Sequence, residues 1–287
     1  MRTVKISFYD SFRCIADKCT DTCCAGWDVY IDEKALEKYN TLGGELGEKI
    51  RRNIEKDDEG DSRFILRDKN CPFLCGNGLC ELISECGESI LCDICSLHPR
   101  FFNEFPGVTE AGLGLCCEEV CRLLFENDVT FVAVDDGEEA DDETAEATSL
   151  YDDFFAFRQE LFKVTDEAGG INEAINKALD FSLACSPFSQ NDTAPVSDDE
   201  GILRKYLMTE PIDEKWLPFV RDIYDNISRI TAIESLYDET TEKAEDLYAK
   251  LFKYIIFRNV SDSLYDGEVF ARQSVEHDVV ALRVVMR

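Results

Sequence analysis

The sequence predicts a mostly α-helical protein: a compact cysteine-rich metal-binding N-terminal module with few short strands, followed by a multi-helical domain. Three observations lead there. Thirteen of the fourteen cysteines lie between Cys14 and Cys121, and Cys185 alone lies outside. Past residue 150, apolar residues recur at helical spacing. A hydrophobic content of 45% over 287 residues suffices for a globular core. The composition break sets the domains: 1–125 a cysteine-rich module, 126–150 an acidic linker or loop, 151–287 a helical domain.

In chain order, "IDEKALEKYNTL" reads as a helix with Asp32 as N-cap. Gly43-Gly44 interrupts it. "ELGEKIRRNI" then places Leu46, Ile50 and Ile54 at spacing four, a short amphipathic helix. "RFILRD" reads as a short strand, and Gly76, Asn77 and Gly78 in "CGNGLC" as a turn. "CCEEVCRLLFE" is a helix with Cys117, Val120, Cys121 and Leu124 on one face, and "DVTFVAV" a β-branched strand. "DDGEEADDETAEATS" has no Lys or Arg and reads as an exposed loop. Tyr151, Phe154, Phe155, Leu161 and Phe162 form one helical stripe; Ile171, Ala174, Ile175, Ala178, Leu179 and Cys185 form a second. Both are read as core. "SPFSQNDTAPVSDDE" is a linker, and 219–236, 242–259 and 267–287 read as helices, with Pro218 marking a start.

The formal charge is −30. That argues against a nucleic-acid partner, whose phosphates need Lys and Arg. It is compatible with a solvated acidic surface and with attraction of a lysine-bearing partner. The start of the chain has no apolar leader core, and no apolar run reaches the roughly eighteen residues a membrane span needs. The expectation is a cytoplasmic protein with no membrane partner. There thiols are kept reduced, so the cysteines call for something other than disulfides.

"FRCIADKCTDTCCAGW" sets Cys14, Cys19, Cys23 and Cys24 within eleven residues. Disulfides, a metal site and a reactive thiol pair compete to explain it. Cys71, Cys75, Cys80 and Cys86 follow, then Cys92, Cys95 and His98 in "LCDICSLHPR", then Cys116, Cys117 and Cys121. Thiolates are soft ligands for zinc, copper(I) or iron–sulfur clusters. Zinc sites favour paired C-x2-C hooks, and Cys92 with Cys95 is the single such pair. Irregular spacing suits iron–sulfur clusters equally. In extended backbone, adjacent side chains point to opposite sides, so Cys23 and Cys24 serve two centres more easily than one. His98 reads either as a ligand beside Cys95 or as a hydrogen-bonded, part-buried side chain. Arg100 reads as an ordinary salt-bridge partner or an anion contact. Other chemistries lack support. No dinucleotide or phosphate-binding glycine loop is present, nor a C-x3-C-x2-C motif, and two histidines rule out a histidine-based triad or H-E-x-x-H site.

Taken together, "FRCIADKCTDTCCAGWDVYID", "CPFL", "LCELISECGE", "CSLHPR" and "GLGLCCEEVCRLLF" resemble the flagellin lysine-N-methylase family, within a wider group of cysteine-cluster proteins taken to chelate zinc or iron. The resemblance covers about residues 8 to 125 and is fainter beyond, at "YIIFRNVSDSLYDGEVF". It implies protein-lysine N-methyl transfer with S-adenosylmethionine as donor and a lysine-bearing protein, flagellin, as substrate. It also implies a cysteine-ligated iron–sulfur cluster, of the 4Fe-4S type, or zinc. The family's cysteines fall on Cys14, Cys19, Cys23, Cys24, Cys71, Cys80, Cys95 and Cys117; Cys75, Cys86, Cys92, Cys116 and Cys121 are extra. Trp27 is expected to pack over the site. The resemblance assigns no catalytic residue. The alternative is a non-enzymatic cysteine-cluster protein: a metal carrier, sensor or structural module. Around a tetrahedral zinc, bonds of about 2.3 Å put the sulfurs roughly 3.5–4 Å apart. A four-iron cluster holds them roughly 6–7 Å apart round a central void.

Overall fold

The computed structural model describes residues 2–20, 22–105, 107–135, 142–185, 199–209, 214–234 and 242–259. About half of the chain is helical. Among the described residues there are six strands: β1 (Arg2–Ile6), β2 (Ile54–Lys56), β3 (Ser62–Phe64), β4 (Arg100–Phe105), β5 (Val108–Leu113) and β6 (Phe131–Asp135). Ten α-helices accompany them. The chain divides into two compact units. One comprises Lys5–Phe102 with Ala111–Glu126; the other comprises Met1–Val4, Asn103–Glu110 and Asn127–Arg287.

In the cysteine-bearing unit, α1 (Glu33–Thr41) starts where the Asp32 carboxylate accepts the Ala35 N–H at 2.8 Å, the cap the sequence calls for. Gly44, at φ +78, lets the chain turn into α2 (Gly44–Arg52). Leu46 and Ile50 sit on α2, but Ile54 does not continue it. The Asn53 side chain bonds back to the Lys49 carbonyl at 2.7 Å, and Ile54 opens β2 opposite Phe64 of β3. The remaining helices of this unit are α3 (Glu81–Cys86), α4 (Asp93–Leu97) and α5 (Glu118–Glu126). Its core gathers Val29, Tyr39, Ile50, Phe64, Phe73 and Leu82 with Cys71 and Cys92. Phe64 lies 5.8 Å from the Tyr39 ring and meets Phe73 edge-on at 5.0 Å.

The four-stranded sheet, in order β4-β5-β1-β6, exceeds the sequence expectation, which places strands at "RFILRD" and "DVTFVAV" alone. β5 is an interior strand buried along almost its whole length, so it shows no alternation to read. Gly112 on β5 faces Phe101 so closely that a Cβ would stand 2.0 Å from its ring.

The second unit is built on helices α6 (Asp142–Asp166), α7 (Ile171–Cys185), α8 (Asp199–Tyr206), α9 (Trp216–Glu234) and α10 (Glu242–Asn259). Phe154, Leu161 and Phe162 of the first stripe are buried, as are Ile171, Ala174, Ile175 and Ala178 of the second. Phe131 of β6 stacks between Phe162 at 4.7 Å and Phe257 at 4.4 Å. One element corrects the sequence reading. The acidic stretch expected to be a loop through residue 150 is helical from Asp142. Its alanines and glutamates are good helix formers, and acidic side chains in a first turn favour the positive end of the helix. Residues 136–141, residues 186–198 of the linker expected at 186–200 and the helix expected at 267–287 lie outside the described residues, as do the side chains of Tyr151, Leu179 and Cys185; the last two linker residues, Asp199 and Glu200, already belong to α8.

Arg158 of α6 and Glu110 are both fully buried. Nη1 donates to Oε2 at 3.0 Å and Nη2 donates to Oε1, with the guanidinium 4.9 Å from the Phe154 ring centre. Removing one partner strands the other charge in an apolar core. Arg158→Met should therefore destabilise the protein by about 3–5 kcal/mol, read as a fall in the urea midpoint. The Glu110→Leu/Arg158→Met double variant should recover most of that loss. Equal losses in both variants would show that the buried charge is not the cause.

Candidate metal centre

The segment from Cys14 to Cys24 makes little regular structure of its own; hydrogen bonds at both ends hold it. A single 3-10 turn at Ala16–Lys18 positions Cys19, whose N–H donates to the Ala16 carbonyl at 3.1 Å. The Thr20 N–H and hydroxyl both donate to the Glu118 carboxylate, at 2.7 and 2.8 Å. That carboxylate opens α5, so Cys19 is carried to Cys117 just before the helix. At the other end, Cys71 N–H donates to the Cys24 carbonyl at 2.7 Å, and Gly26 N–H to the Lys69 carbonyl at 2.9 Å. The indole N–H of Trp27 donates to the Cys23 carbonyl at 2.8 Å.

Cys80 immediately precedes α3, behind the turn in which Gly78 N–H donates to the Cys75 carbonyl at 2.9 Å with Gly78 at φ +80. Cys92 immediately precedes α4, and Cys95 N–H donates to its carbonyl at 3.1 Å. Asp32 couples this helix to α1. One carboxylate oxygen caps α1, and the other accepts Asp93 N–H at 2.7 Å. Burial opposes ionisation of Asp32, but the N–H groups of Asp93 and Ala35 prevail and hold its carboxyl below the usual range.

These segments enclose one cavity of about 480 Å³. Cys14, Cys19, Cys23, Cys24, Cys71, Cys80, Cys95 and Cys117 all line it. Cys116 lines it too, although the resemblance counts it as extra; Cys75, Cys86, Cys92 and Cys121 are not among the lining residues. All thirteen cysteines from Cys14 to Cys121 are free thiols. Among the described residues, no group of three or more His, Cys, Asp or Glu side chains converges tightly enough to hold a metal ion. The close thiol spacing expected round a tetrahedral zinc is therefore not formed. The thiols surround a space instead. A water molecule takes up about 30 Å³ of liquid, so 480 Å³ is room for a polyatomic group.

The thiols are electrostatically unequal. Cys23 donates to Cys24, which holds the Cys24 thiol down at about 6 and drives Cys23 up. Cys95 and Cys92 form a similar pair, with Cys95 pushed up and Cys92 down by the hydrogen bond between them. Burial pushes Cys71 up to about 11 and raises Cys80 as well. Burial likewise raises Cys19, with the neighbouring Cys117 adding to it.

Trp27 lines the cavity and stacks on His98, ring centres 5.9 Å apart. His98 also lines it; its Nε2 is buried with no hydrogen-bond partner, and burial lowers its pKa. Arg100 packs over Phe12 at 5.2 Å and Tyr9 at 5.8 Å. Arg13 and Tyr39 complete the lining in ways the sequence did not single out. Tyr39 sits on an amphipathic helix face, a signal that reads as core alone.

Nine thiols round one cavity, held by backbone hydrogen bonds rather than by disulfides, define a cysteine-cluster protein. Known proteins carry the assignment further. Over 129 residues, 42% of this chain, it is 27% identical to the flagellar biosynthetic protein FliU of Salmonella muenchen, covering 76% of that protein. It is 27% identical, over 129 residues, to the Lysine-N-methylases of Salmonella typhimurium (strain LT2) and Salmonella choleraesuis (strain SC-B67), covering 32% of each. Over that stretch the chain is similar to a flagellar biosynthetic protein and to lysine-N-methylases. The chain thus spans about a third of the length of the two methylases. No family model and no solved structure matches.

The Cys71 shift has a consequence for the metal-free chain. Its thiol ordinarily loses its proton near 9.0, and the folded state holds that proton up to about 11. The resulting stabilisation is fully present below pH 9 and is lost as pH rises to about 11. The melting temperature of the metal-free protein should fall across that window. Cys71→Ala should flatten the fall, and an identical profile in the variant would exclude Cys71 as its source.

Proposed function

We propose that this chain is a protein-lysine N-methyltransferase of the flagellin lysine-N-methylase type, with a cysteine-ligated iron–sulfur or zinc centre in the cavity. The observation that carries the proposal is the gathering of Cys14, Cys19, Cys23, Cys24, Cys71, Cys80, Cys95 and Cys117 round one space. Its similarity to two lysine-N-methylases supports the reaction. The donor set fits a soft metal: thiolates, no carboxylate cage, and an unpartnered His98 nitrogen at the wall. The size of the space favours a cluster over one ion. A bound cluster supplies electron transfer, and a bound zinc supplies Lewis acidity and folding energy.

The chain's own residues do the rest. They must bind the group as thiolates, and the hydrogen bond from Cys23 already favours the ionised form of Cys24. Protons leave the other cysteines as metal enters, so loading strengthens as pH rises. In the reaction, a lysine ε-amine forms a bond to the methyl carbon while the donor's sulfonium–methyl bond breaks. The amine must be neutral to do so and gives its proton to a base. The net charge of −30 draws a lysine-bearing surface such as flagellin. No described residue is assigned to S-adenosylmethionine, for no glycine-rich strand-to-helix loop is present. The same absence favours a second reading, a non-enzymatic metal carrier, sensor or structural module. No nucleic-acid or membrane partner belongs to either reading; among the described residues, no helix is long and apolar enough to cross a membrane.

Metal-loaded full-length protein, incubated anaerobically with methyl-labelled S-adenosylmethionine and purified flagellin, should add label to flagellin lysines, read by peptide mass spectrometry. Full metal content with no label on any lysine would favour the non-enzymatic reading.

A further inference from the structure

We infer that the eight cysteines form two four-thiolate centres that meet at Cys23–Cys24: an inner one of Cys24, Cys71, Cys80 and Cys95, and an outer one of Cys14, Cys19, Cys23 and Cys117. The division rests on the proposal that the cavity binds metal, and it deepens that proposal.

Packing separates the sets first. Cys71 belongs to the buried core of the unit, and Cys24, Cys80 and Cys95 pack against the same core beside Phe64, Phe73 and Leu82. None of the outer four belongs to that cluster; Cys14 and Cys23 are exposed, Cys19 and Cys117 half-buried. The backbone separates them next. The Cys71–Cys24 hydrogen bond binds the inner segments together, while Thr20 on Glu118 binds Cys19 to Cys117. Thiol neighbours follow the same line. Cys71 interacts with Cys24 and Cys80, and Cys95 with Cys71 and Cys24; Cys92, which does not line the cavity, backs both Cys95 and Cys71 from the core. Cys19 interacts with Cys14 and Cys117, and so does Cys23. The contact that joins the two sets is Cys23 to Cys24. Their thiols hydrogen-bond to each other, which sets this adjacent pair at the seam between the two sets. Burial is graded between the sets: Cys71 is buried and Cys24, Cys80 and Cys95 are half-buried, whereas two of the outer four, Cys14 and Cys23, are exposed.

The test is metal content of the full chain, loaded anaerobically with ferrous iron plus sulfide and, in a parallel arm, with zinc. Cys14→Ser/Cys19→Ser and Cys71→Ser/Cys80→Ser should each retain about half of the wild-type metal in whichever arm loads. A ferrous or zinc chelator should strip the wild type in two phases, the faster one absent from the Cys14→Ser/Cys19→Ser variant. Because the inner replacement can unfold the core, the outer variant decides the matter: it leaves the buried cluster intact. Complete loss of metal from a folded Cys14→Ser/Cys19→Ser protein, or single-phase stripping of the wild type, overturns the division in favour of one shared centre. A wild-type chain that takes up no metal in either arm overturns the division and the metal reading together. Two centres without methyl transfer leave the division standing and remove only the proposed activity.

Discussion

The hydrogen bond from Cys71 N–H to the Cys24 carbonyl, 2.7 Å long, is the contact on which the cysteine-bearing unit turns. It joins two segments separated by nearly fifty residues at the point where each carries a thiol. Neither segment has enough regular structure to hold its own shape. With Gly26 tied to Lys69 beside it, this contact converts a loose loop into one wall of a cavity. Closing so long a loop carries an entropic cost, which the core behind it, Tyr39, Phe64 and Phe73, must offset.

A second constraint acts through Asp32. Its two carboxylate oxygens serve two helices, α1 and α4, so the helical turn that carries Cys92 and Cys95 is placed by an element more than fifty residues earlier in the chain. The same economy appears in Glu118, which takes two hydrogen bonds from Thr20. In both cases one carboxylate at a helix start fixes where a cysteine goes. The acidic composition thus includes groups with positioning work, alongside those that face solvent.

Much of this was legible in the sequence, and the limits have physical causes. The Asp32 cap, α1 and the two apolar stripes of α6 and α7 follow from local rules, and the structure has them where those rules put them. The β4-β5-β1-β6 sheet escaped because β5 is buried along almost its whole length and one of its two neighbours, β1, lies about a hundred residues earlier in the chain. The helix at Asp142 is hidden by its own like-charge run, which resembles an exposed loop although its alanines and glutamates are good helix formers. The eight cysteines that line the cavity came from resemblance; spacing alone left zinc, clusters and thiol pairs open. Cys116 and Tyr39 reach the cavity through tertiary closure that no local pattern announces.

The division of the chain at β4 and β5 bears on how such a module can be inherited. The polypeptide leaves the cysteine-bearing unit after Phe102, runs through the other unit from Asn103 to Glu110, and returns at Ala111 with α5 still to come. Cys117 and Glu118 therefore arrive only after that excursion. A gene segment encoding the first hundred residues would carry seven of the nine cavity thiols and leave the Thr20 clamp without its acceptor. Shuffling of this module between proteins must take the excursion along, so the thiol cavity and a strip of its neighbour travel as one heritable block.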